Sequence, residues 1–263
     1  LADGRRFCYR EDGTGDVLVM LHGWSMSSAV FQETLAGLAG NFRVLAPDLT
    51  GHGATESSTV QFDLDTLADD VEEWLEQLGV NRICLLGWSL GGQVALQMVK
   101  RKRLAIGKLV LVSTTPLFVA TTDWPNGLPL TQVRAMDRQM QRNYEQSMGE
   151  FFRLMFDGED MPQERYREII RFAVRESSLP TLEISRAGLK VLGTTDLRPT
   201  LAEIEVPTLV HYGSLDQITV PAACRYLLDS IPAARQVEWS DVGHAPFLSR
   251  PIESVALWTD FLR

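Results

Sequence analysis

A serine flanked by glycines follows an apolar segment near the middle of the chain. Residues Ile83 to Leu86 are typical of a buried strand, and Gly87-Trp88-Ser89-Leu90-Gly91-Gly92 comes directly after them. This Gly-x-Ser-x-Gly pattern predicts a sharp, strained turn between a strand and a helix, where only glycines fit around a serine held out of the sheet. An ordinary turn of the same composition is the alternative. A serine placed in this way can act as a nucleophile in acyl transfer.

Two backbone amides are candidates for stabilising the negative charge that acyl transfer develops. Leu90 opens the helix predicted after the serine, and a helix N-terminus favours an oxyanion. Upstream, the apolar segment Val17 to Leu21 runs into His22-Gly23-Trp24, where Gly23 lets the chain fold so that the Trp24 amide faces the Leu90 amide. We therefore predict an oxyanion hole formed by these two N–H groups. His22 is interpreted as a structural residue that shapes the turn.

An acid and a histidine follow two later strand segments. Pro207 to Gly213 predicts a buried strand, and Asp216 lies just past its end. Arg235 to Trp239 predicts the next strand, and His244 lies in the loop after it. A catalytic triad in the chain order serine, acid, histidine places each member after a strand of one sheet. Ser89, Asp216 and His244 are therefore the predicted nucleophile, acid and base.

The elements that must position these residues alternate along the chain, which predicts a mainly parallel sheet with helices on both faces. The first strand pair is expected to be antiparallel, Arg5 to Arg10 with Val17 to Leu21. Further strands are predicted at Phe42 to Ala46, Arg82 to Leu86 and Lys108 to Val112, and helices at Ala29 to Leu38, Leu64 to Leu78, Leu90 to Arg103 and Ile252 to Leu262.

The strand pattern stops between Thr115 and about Thr200. Apolar residues there recur at helical spacing, in Val133, Met136, Met140, Tyr144, Met148, Phe151, Phe152 and Met155. We predict a helical cap at residues 115–200, inserted after the sixth strand into an α/β core of residues 1–114 and 201–263. Its methionines and phenylalanines are compatible both with a face that docks on the core and with an adaptable apolar roof over a substrate. Trp24, Trp88 and Phe247 adjoin catalytic residues and are the preferred substrate contacts.

These motifs together resemble the α/β-hydrolase superfamily over nearly the whole chain, including the loop Pro47-Asp48-Leu49-Thr50-Gly51-His52-Gly53. A narrower resemblance is to the BioH-type carboxylesterases of biotin synthesis. It is carried by Leu21-His22-Gly23-Trp24, Gly87 to Gly92, Asp123-Trp124-Pro125, Thr195-Asp196-Leu197-Arg198, Tyr212 to Asp216 and His244-Ala245-Pro246-Phe247. The Asp-Trp-Pro and Asp-Leu-Arg segments are the pieces that point to the subfamily.

The narrower resemblance implies an esterase that removes the methyl group from pimeloyl-acyl-carrier-protein methyl ester, without a metal or organic cofactor. An acidic carrier protein would dock on basic residues of the cap. The candidates are Arg138 and Arg142, which continue a four-residue spacing from Arg134, and Arg167 and Arg171, which continue to Arg175. Each set is equally compatible with an ordinary solvated helix face.

Composition excludes several other classes. The chain has 263 residues, 45% of them hydrophobic, and a net charge of -9, which argues against nucleic-acid binding. Its three cysteines do not form a disulfide or metal pattern. Without an apolar segment long enough to span a membrane, a cytoplasmic location is expected. Residue 1 is not methionine, so the sequence leaves open whether further residues precede it. Oligomeric state stays open, a monomer included.

Other functions of the same triad stay open as well. A broader small-ester carboxylesterase, a lactonase or a C–C bond hydrolase would use the same residues with another pocket. A hydrolase-like ligand-binding receptor is the alternative from a different class, and the intact triad argues against it.

Overall fold

A mostly parallel sheet organises the computed structural model, which describes residues 1–57, 62–175 and 179–263, with the side chain of Arg175 also outside the description. Within those ranges the strands are β1 (Tyr9–Asp12), β2 (Val17–Leu21), β3 (Arg43–Pro47), β4 (Arg82–Trp88), β5 (Ala105–Val112), β6 (Thr208–Gly213) and β7 (Ala234–Trp239). Their order across the sheet is β1-β3-β2-β4-β5-β6-β7. All neighbouring pairs are parallel except β1 with β3.

Helices flank the sheet, as predicted. They are α1 (Gln32–Leu38), α2 (Leu64–Gln77), α3 (Leu90–Arg101), α4 (Leu130–Arg142), α5 (Tyr144–Leu154), α6 (Gln163–Ile170), α7 (Leu182–Thr194), α8 (Pro221–Ser230), α9 (Pro246–Ser249) and α10 (Pro251–Leu262). A π-helical turn, Arg171–Arg175, continues α6, and short 3₁₀ turns lie at Ser28–Phe31 and Arg198–Glu203. In the part of the chain that the structure describes, no helix combines the length and the apolar character needed to cross a membrane.

The predicted pairing of the first two strands is wrong. β1 begins at Tyr9 and pairs antiparallel with β3, whereas β2 lies between β3 and β4 and pairs parallel with both. Side-chain character explains the arrangement: every residue of β1 is exposed and suits an edge, whereas apolar β2 is buried by neighbours on both sides. The strand does not begin at Arg5, as predicted. Instead, the Arg5 guanidinium binds both carboxylate oxygens of Asp70 and so attaches this part of the chain to α2.

Helices α4 to α7 form the segment between β5 and β6, which we call the cap. The described strands put it after the fifth strand, so the predicted position after the sixth is wrong; the five strands before the cap correspond to the five segments that the sequence predicts there. Val133, Met140, Met148, Phe151, Phe152 and Met155 are buried, and Met136 and Tyr144 are half-buried against the core. The helical spacing therefore did identify the inward side of the cap.

Parallel pairing explains why the predicted site residues can meet. β2, β4, β6 and β7 all run in one direction, so the loops after Leu21, Trp88, Gly213 and Trp239 emerge at the same edge of the sheet. Ligand and catalytic sites of open α/β sheets lie at this carboxyl edge. The fold thus gathers segments that are up to two hundred residues apart.

Two histidines are buried in the core, away from the predicted base. His211 in β6 accepts a hydrogen bond from the Trp258 indole at 3.2 Å and packs edge-on against Trp239. His52 is fully buried in the loop after β3, and its Nδ1 bonds to the carbonyl of Thr50 at 3.0 Å. Desolvation lowers the pKa of each of these imidazoles to about 3. Both side chains are therefore neutral in the folded protein at neutral pH.

We expect this burial to make the free energy of unfolding depend on pH. Between pH 6.5 and 3 the unfolded chain binds more protons than the folded chain at His52 and His211. Their contribution is complete above about pH 6.5 and declines as the pH falls, by up to about 1.4 kcal/mol per pH unit for each histidine. Urea unfolding at pH 7, 6 and 5 measures this slope.

The variant His211→Gln isolates one of the two groups. It should be less stable throughout, but its free energy of unfolding should fall less steeply between pH 6.5 and 5 than that of the unmodified chain. Burial also lowers the pKa of His22, which acts in the same direction as His52 and His211. The carboxyls of the buried Glu72 and the partly buried Glu159, whose pKa burial raises, act in the opposite direction. These three groups are common to both proteins. Equal slopes in the two proteins would contradict the prediction.

Candidate active site

Ser89 lies in the strained turn that the glycine pattern predicts. Its backbone has φ 55 and ψ -117, and it forms the N-cap of α3 directly after β4. A non-glycine residue is rarely found at positive φ, and such strain is typical of functional turns. The Ser89 amide donates to the carbonyl of Val112 at 2.9 Å, which ties the turn to the end of β5.

Close backbone approach requires the neighbouring glycines, as predicted. A Cβ on Gly87 would lie 2.3 Å from the carbonyl oxygen of Gly91, and one on Gly91 would lie 2.2 Å from that of Leu21. A Cβ on Gly92 would lie 1.9 Å from the Thr114 hydroxyl. The turn is thus packed between the ends of β2 and β5, and the first turn of α3 sits against the loop after β2.

The loop after β2 brings Trp24 beside the serine. A Cβ added to Gly23 would lie 3.2 Å from the Cβ of Ser89, so the two residues are in direct contact. Within the described residues neither the Trp24 amide nor the Leu90 amide donates a hydrogen bond to the protein. Two unengaged N–H groups on either side of the serine turn are what an oxyanion hole needs.

The cap fixes the conformation of this loop. The Trp24 indole donates to the carbonyl of Ser185 on α7 at 2.7 Å, and the Ser25 hydroxyl donates to the Ser185 hydroxyl at 2.9 Å. Gly188, one turn further along α7, leaves room for the Trp24 ring, because a Cβ there would lie 2.7 Å from it. The loop that carries the Trp24 amide is therefore held partly by the cap.

Asp216 and His244 are brought together by the loops after β6 and β7. His244 Nδ1 lies 2.8 Å from Asp216 Oδ2, and both side chains are almost completely buried. The other carboxylate oxygen accepts the amides of Ile218 at 2.8 Å and Thr219 at 2.9 Å. Since the carboxylate can only accept, Nδ1 of the neutral histidine carries the proton and Nε2 has a free lone pair.

Thr219 is a site residue that the sequence analysis missed. Its hydroxyl lies 2.7 Å from Asp216 Oδ2 and 2.8 Å from the carbonyl of Ser113, the residue that follows β5. The Asp-x-x-Thr spacing, in which an aspartate caps the amides two and three residues ahead, is a local signal that predicts such a turn. Thr219 therefore holds the Asp216 carboxylate in the plane that faces His244.

His22 has the structural role that its position indicated. Its Nδ1 donates to the Gly23 carbonyl at 2.8 Å, and its Nε2 accepts the Leu49 amide at 2.9 Å. These two bonds fix one neutral tautomer, and burial lowers the pKa of this imidazole. With both nitrogens engaged, His22 shapes the turn and connects it to the loop after β3.

The three aromatic residues predicted to contact substrate surround the site. Trp88 is fully buried, and its indole donates to the His244 carbonyl at 2.9 Å. Phe247 packs edge-on against Trp88 with ring centroids 5.1 Å apart. Trp24 contacts Phe151 of the cap in the same geometry at 4.8 Å. These contacts place all three rings around the catalytic loops, and contact with substrate stays a prediction.

Two grooves border α4, and they differ in their relation to the site. The larger, of about 610 Å³, lies between α4 and α7 and includes Arg134 and Arg186. The smaller, of about 420 Å³, lies between α4 and α5 and includes Phe151, which contacts Trp24, and Gln217, which follows Asp216. Size alone favours the first, but only the second adjoins the catalytic loops.

The predicted docking arginines are all exposed on the cap. Arg138 and Arg142 lie on the outer side of α4, away from its buried Val133 and Met140. Arg167 lies on α6 and Arg171 in the π-helical turn that continues it. Among the described residues, none of these four side chains forms an ion pair, in contrast to Arg165 with Glu33 and Arg186 with Asp137.

The described residues contain no group of three or more histidine, cysteine, aspartate or glutamate side chains arranged to hold a metal ion.

Comparison with known proteins agrees with this geometry. A family model for the α/β hydrolase fold matches residues 16–251. The pimeloyl-[acyl-carrier protein] methyl ester esterase of Nitrosomonas europaea is 36% identical over 93% of this chain and 94% of its own. The enzyme of that name from Pectobacterium atrosepticum is 32% identical over 92% of this chain and 93% of its own.

Solved structures show the same fold. An esterase from Exiguobacterium antarcticum superposes with a TM-score of 0.91 at 24% identity, covering 99% of this chain and 96% of its own. A hydrolase from Pseudomonas aeruginosa superposes with a TM-score of 0.84 at 26% identity, covering 100% of this chain and 96% of its own. This chain therefore belongs to the α/β-hydrolase family and is a hydrolase.

Proposed function

We propose that the protein is a serine carboxylesterase that hydrolyses pimeloyl-[acyl-carrier protein] methyl ester to the free acid and methanol. The chemistry rests on one observation: the hydrogen-bonded pair of Asp216 and His244 shares the carboxyl edge of the sheet with the strained Ser89 turn. The substrate rests on the relatives named for this reaction, which match at 30 to 36% identity over most of the chain. A cytoplasmic location belongs to the same proposal.

The mechanism begins with Ser89 as the nucleophile. His244 Nε2 takes the hydroxyl proton as Oγ attacks the ester carbonyl, and Asp216 stabilises the imidazolium that forms. The amides of Trp24 and Leu90 donate to the oxyanion of the tetrahedral intermediate, where one such donor is worth about 3 to 4 kcal/mol. His244 then returns the proton to the departing methoxide, and methanol leaves an acyl-Ser89 intermediate.

Water completes the reaction by the same route in reverse. His244 removes a proton from a water molecule, hydroxide adds to the acyl carbonyl, and Ser89 Oγ leaves with the proton of the imidazolium. The groove between α4 and α5 is our choice for the acyl chain, because its apolar lining, including Met136, Phe151 and Leu154, meets the catalytic loops. No step requires a cofactor.

A direct assay with a genetic control tests the function. The purified chain and its Ser89→Ala variant are incubated with pimeloyl-carrier methyl ester, and mass spectrometry follows the loss of the methyl group. The gene is also placed in a biotin-requiring strain that lacks its own pimeloyl methyl ester esterase. Demethylation by the unmodified chain alone, with restored growth, supports the proposal. Hydrolysis of small esters or lactones without demethylation of the carrier-bound ester would instead indicate a broader hydrolase.

The acidic carrier is proposed to dock on the exposed arginines Arg138 and Arg142, or on Arg167 and Arg171. Exposed charge pairs are screened beyond about 8 to 10 Å at ordinary ionic strength, so added salt should slow the reaction of the carrier-bound ester. Reversal of Arg138 and Arg142 to glutamate should raise KM for that substrate by about tenfold, with KM for a small free methyl ester unchanged. The second pair is tested in the same way.

A matched control has the same change of charge at the opposite edge of the sheet. Arg82 begins β4 and Lys100 lies near the end of α3, and both are exposed. Reversal of these two residues should leave KM for the carrier-bound ester nearly unchanged. Equal effects of the cap and control variants would indicate a response to overall charge and not docking.

A further inference from the structure

The turn that ends α5 contacts both of the loops that carry Asp216 and His244. We call residues 155–159 the cap turn. The carbonyl of Met155 accepts the His244 amide at 2.8 Å, and Glu159 Oε1 accepts the Gly243 amide at 2.7 Å. On the other loop, Gln217 donates from Nε2 to the carboxylate of Asp157 at 2.7 Å. One short segment of the cap therefore touches the predicted acid and the predicted base through their neighbours.

The histidine loop is packed tightly between the cap turn and the sheet. A Cβ on Gly243 would lie 2.3 Å from the Met155 carbonyl oxygen and 3.0 Å from Glu159 Oε1. On the opposite side, a Cβ on Gly213 at the end of β6 would lie 2.1 Å from the Val242 carbonyl. Neither backbone can move toward its neighbour, so a displacement of the cap turn would be transmitted directly to the loop.

The backbone of His244 is held from outside its own loop. Its amide bonds to the cap turn, and its carbonyl accepts the Trp88 indole at 2.9 Å. Asp216 fixes only the ring nitrogen Nδ1. The backbone position of His244 is therefore held by these two bonds and by the neighbouring Gly243–Glu159 bond.

Glu159 is well placed to keep this arrangement. Its carboxylate is partly buried beside Ser249 and Arg250, and desolvation raises its pKa. The chain before it is anchored, because Phe156 packs against Phe152 at 5.4 Å and against Tyr166 at 5.9 Å. Burying part of a carboxyl group costs free energy. One oxygen of Glu159 accepts a backbone amide 84 residues away, and this arrangement is unfavourable unless that hydrogen bond is needed.

We propose that Glu159 is a positioning residue that holds the His244 loop at the height from which the imidazole can take the Ser89 proton. The proposal rests on the assignment of His244 as the base in the proposed function. Glu159 acts through the Gly243 amide and touches no reacting atom. The position of the His244 loop depends on the acceptor oxygen of Glu159 and on the length of its side chain, and it depends little on the charge.

Three substitutions separate acceptor, reach and charge. Glu159→Gln keeps an acceptor oxygen at the same distance but removes the charge. Glu159→Asp keeps the charge but is one methylene shorter, and Glu159→Ala removes both the acceptor oxygen and the charge. The assay uses the full chain and p-nitrophenyl butyrate, with kcat and KM measured separately and melting temperature recorded. Asp160→Ala is the matched control, since its exposed carboxylate adjoins Glu159 and makes no hydrogen bond or ion pair within the described residues.

We expect Glu159→Ala and Glu159→Asp to lower kcat by about 10- to 100-fold with little change in KM, because misplacement of a catalytic group by about 1 Å costs about this much. Glu159→Gln should keep kcat within about threefold of the unmodified chain, since a neutral acceptor is roughly half as strong as a charged one. Asp160→Ala should resemble the unmodified chain. If Glu159→Ala does not fold, the comparison of Glu159→Asp with Glu159→Gln decides.

Several results would overturn the proposal. One is that Glu159→Asp has the same kcat as Asp160→Ala. Another is that the kcat of Glu159→Gln is as low as that of Glu159→Asp. A third is that the substitutions change KM instead of kcat. Failure of the proposed function has a different signature, because a Ser89→Ala variant that still hydrolyses the ester would dismiss the serine and histidine pair whatever Glu159 does.

Discussion

Replacement of Ser89 by alanine is expected to lower kcat by a factor on the order of 10⁶ while leaving the chain folded. The loss is large because no other group in the site is placed to form the acyl intermediate. The fold should survive because the substitution removes one oxygen, and the glycines that shape the turn are untouched. Steady-state hydrolysis of a methyl ester and of p-nitrophenyl butyrate measures the effect, with circular dichroism to verify folding.

His244→Ala provides the companion measurement. It should be about as damaging as Ser89→Ala, and the double variant should be no worse, because the two side chains act as one unit. A Ser89→Ala protein that keeps more than one tenth of the original activity would remove this serine from the mechanism. Additive losses would indicate that the histidine serves another purpose.

Replacement of Asp216 by asparagine should lower kcat by about 10⁴-fold with little change in folding, through the tautomer of His244. The side-chain oxygen of the asparagine must occupy the Oδ1 position, because the amides of Ile218 and Thr219 donate there. The new NH₂ group then faces His244 Nδ1, which must become an acceptor. Nε2 consequently carries the proton and cannot accept one from Ser89.

Thr219→Val gives the matched comparison for this effect. It removes the hydroxyl that donates to the Asp216 carboxylate but leaves an acceptor facing Nδ1, so the tautomer is preserved and the loss should be about tenfold or less. NMR of the imidazole nitrogens reports the tautomer directly. An Asp216→Asn protein with nearly full activity, or with Nδ1 still protonated, would contradict this account of the acid.

Much of the site follows from local sequence patterns. The glycines around Ser89 encode a turn with a positive φ, and the structure has Ser89 in that turn, between a strand that ends at Trp88 and a helix that begins at the predicted Leu90. Asp216 follows a buried segment and His244 follows a more polar one, both segments are strands as predicted, and parallel strands bring their ends to one edge. Both strand predictions depend on chain neighbours only, so they need no knowledge of the packing.

Topology was less accessible to the same patterns. The sequence predicts that the first two strands form an antiparallel pair, but two adjacent strand segments do not reveal that a third strand, β3, lies between them. The order of the strands depends on which of them are most favourably buried. The polar β1 lies at the exposed edge, whereas the apolar β2 is buried inside the sheet.

The contacts that hold the site together were decided by tertiary structure alone. Trp24 bonds to Ser185 across 161 residues of sequence, and Gly243 bonds to Glu159 across 84. Neither glutamate nor serine at those positions carries a local signal, because the bond partner is a backbone group that any sequence supplies. The sequence by itself predicted the nucleophile, its acid and its base, and it determined the kind of sheet that presents these residues. The three-dimensional packing of the cap decided how those groups are held, since only folding brings distant backbone amides and carbonyls within hydrogen-bonding distance.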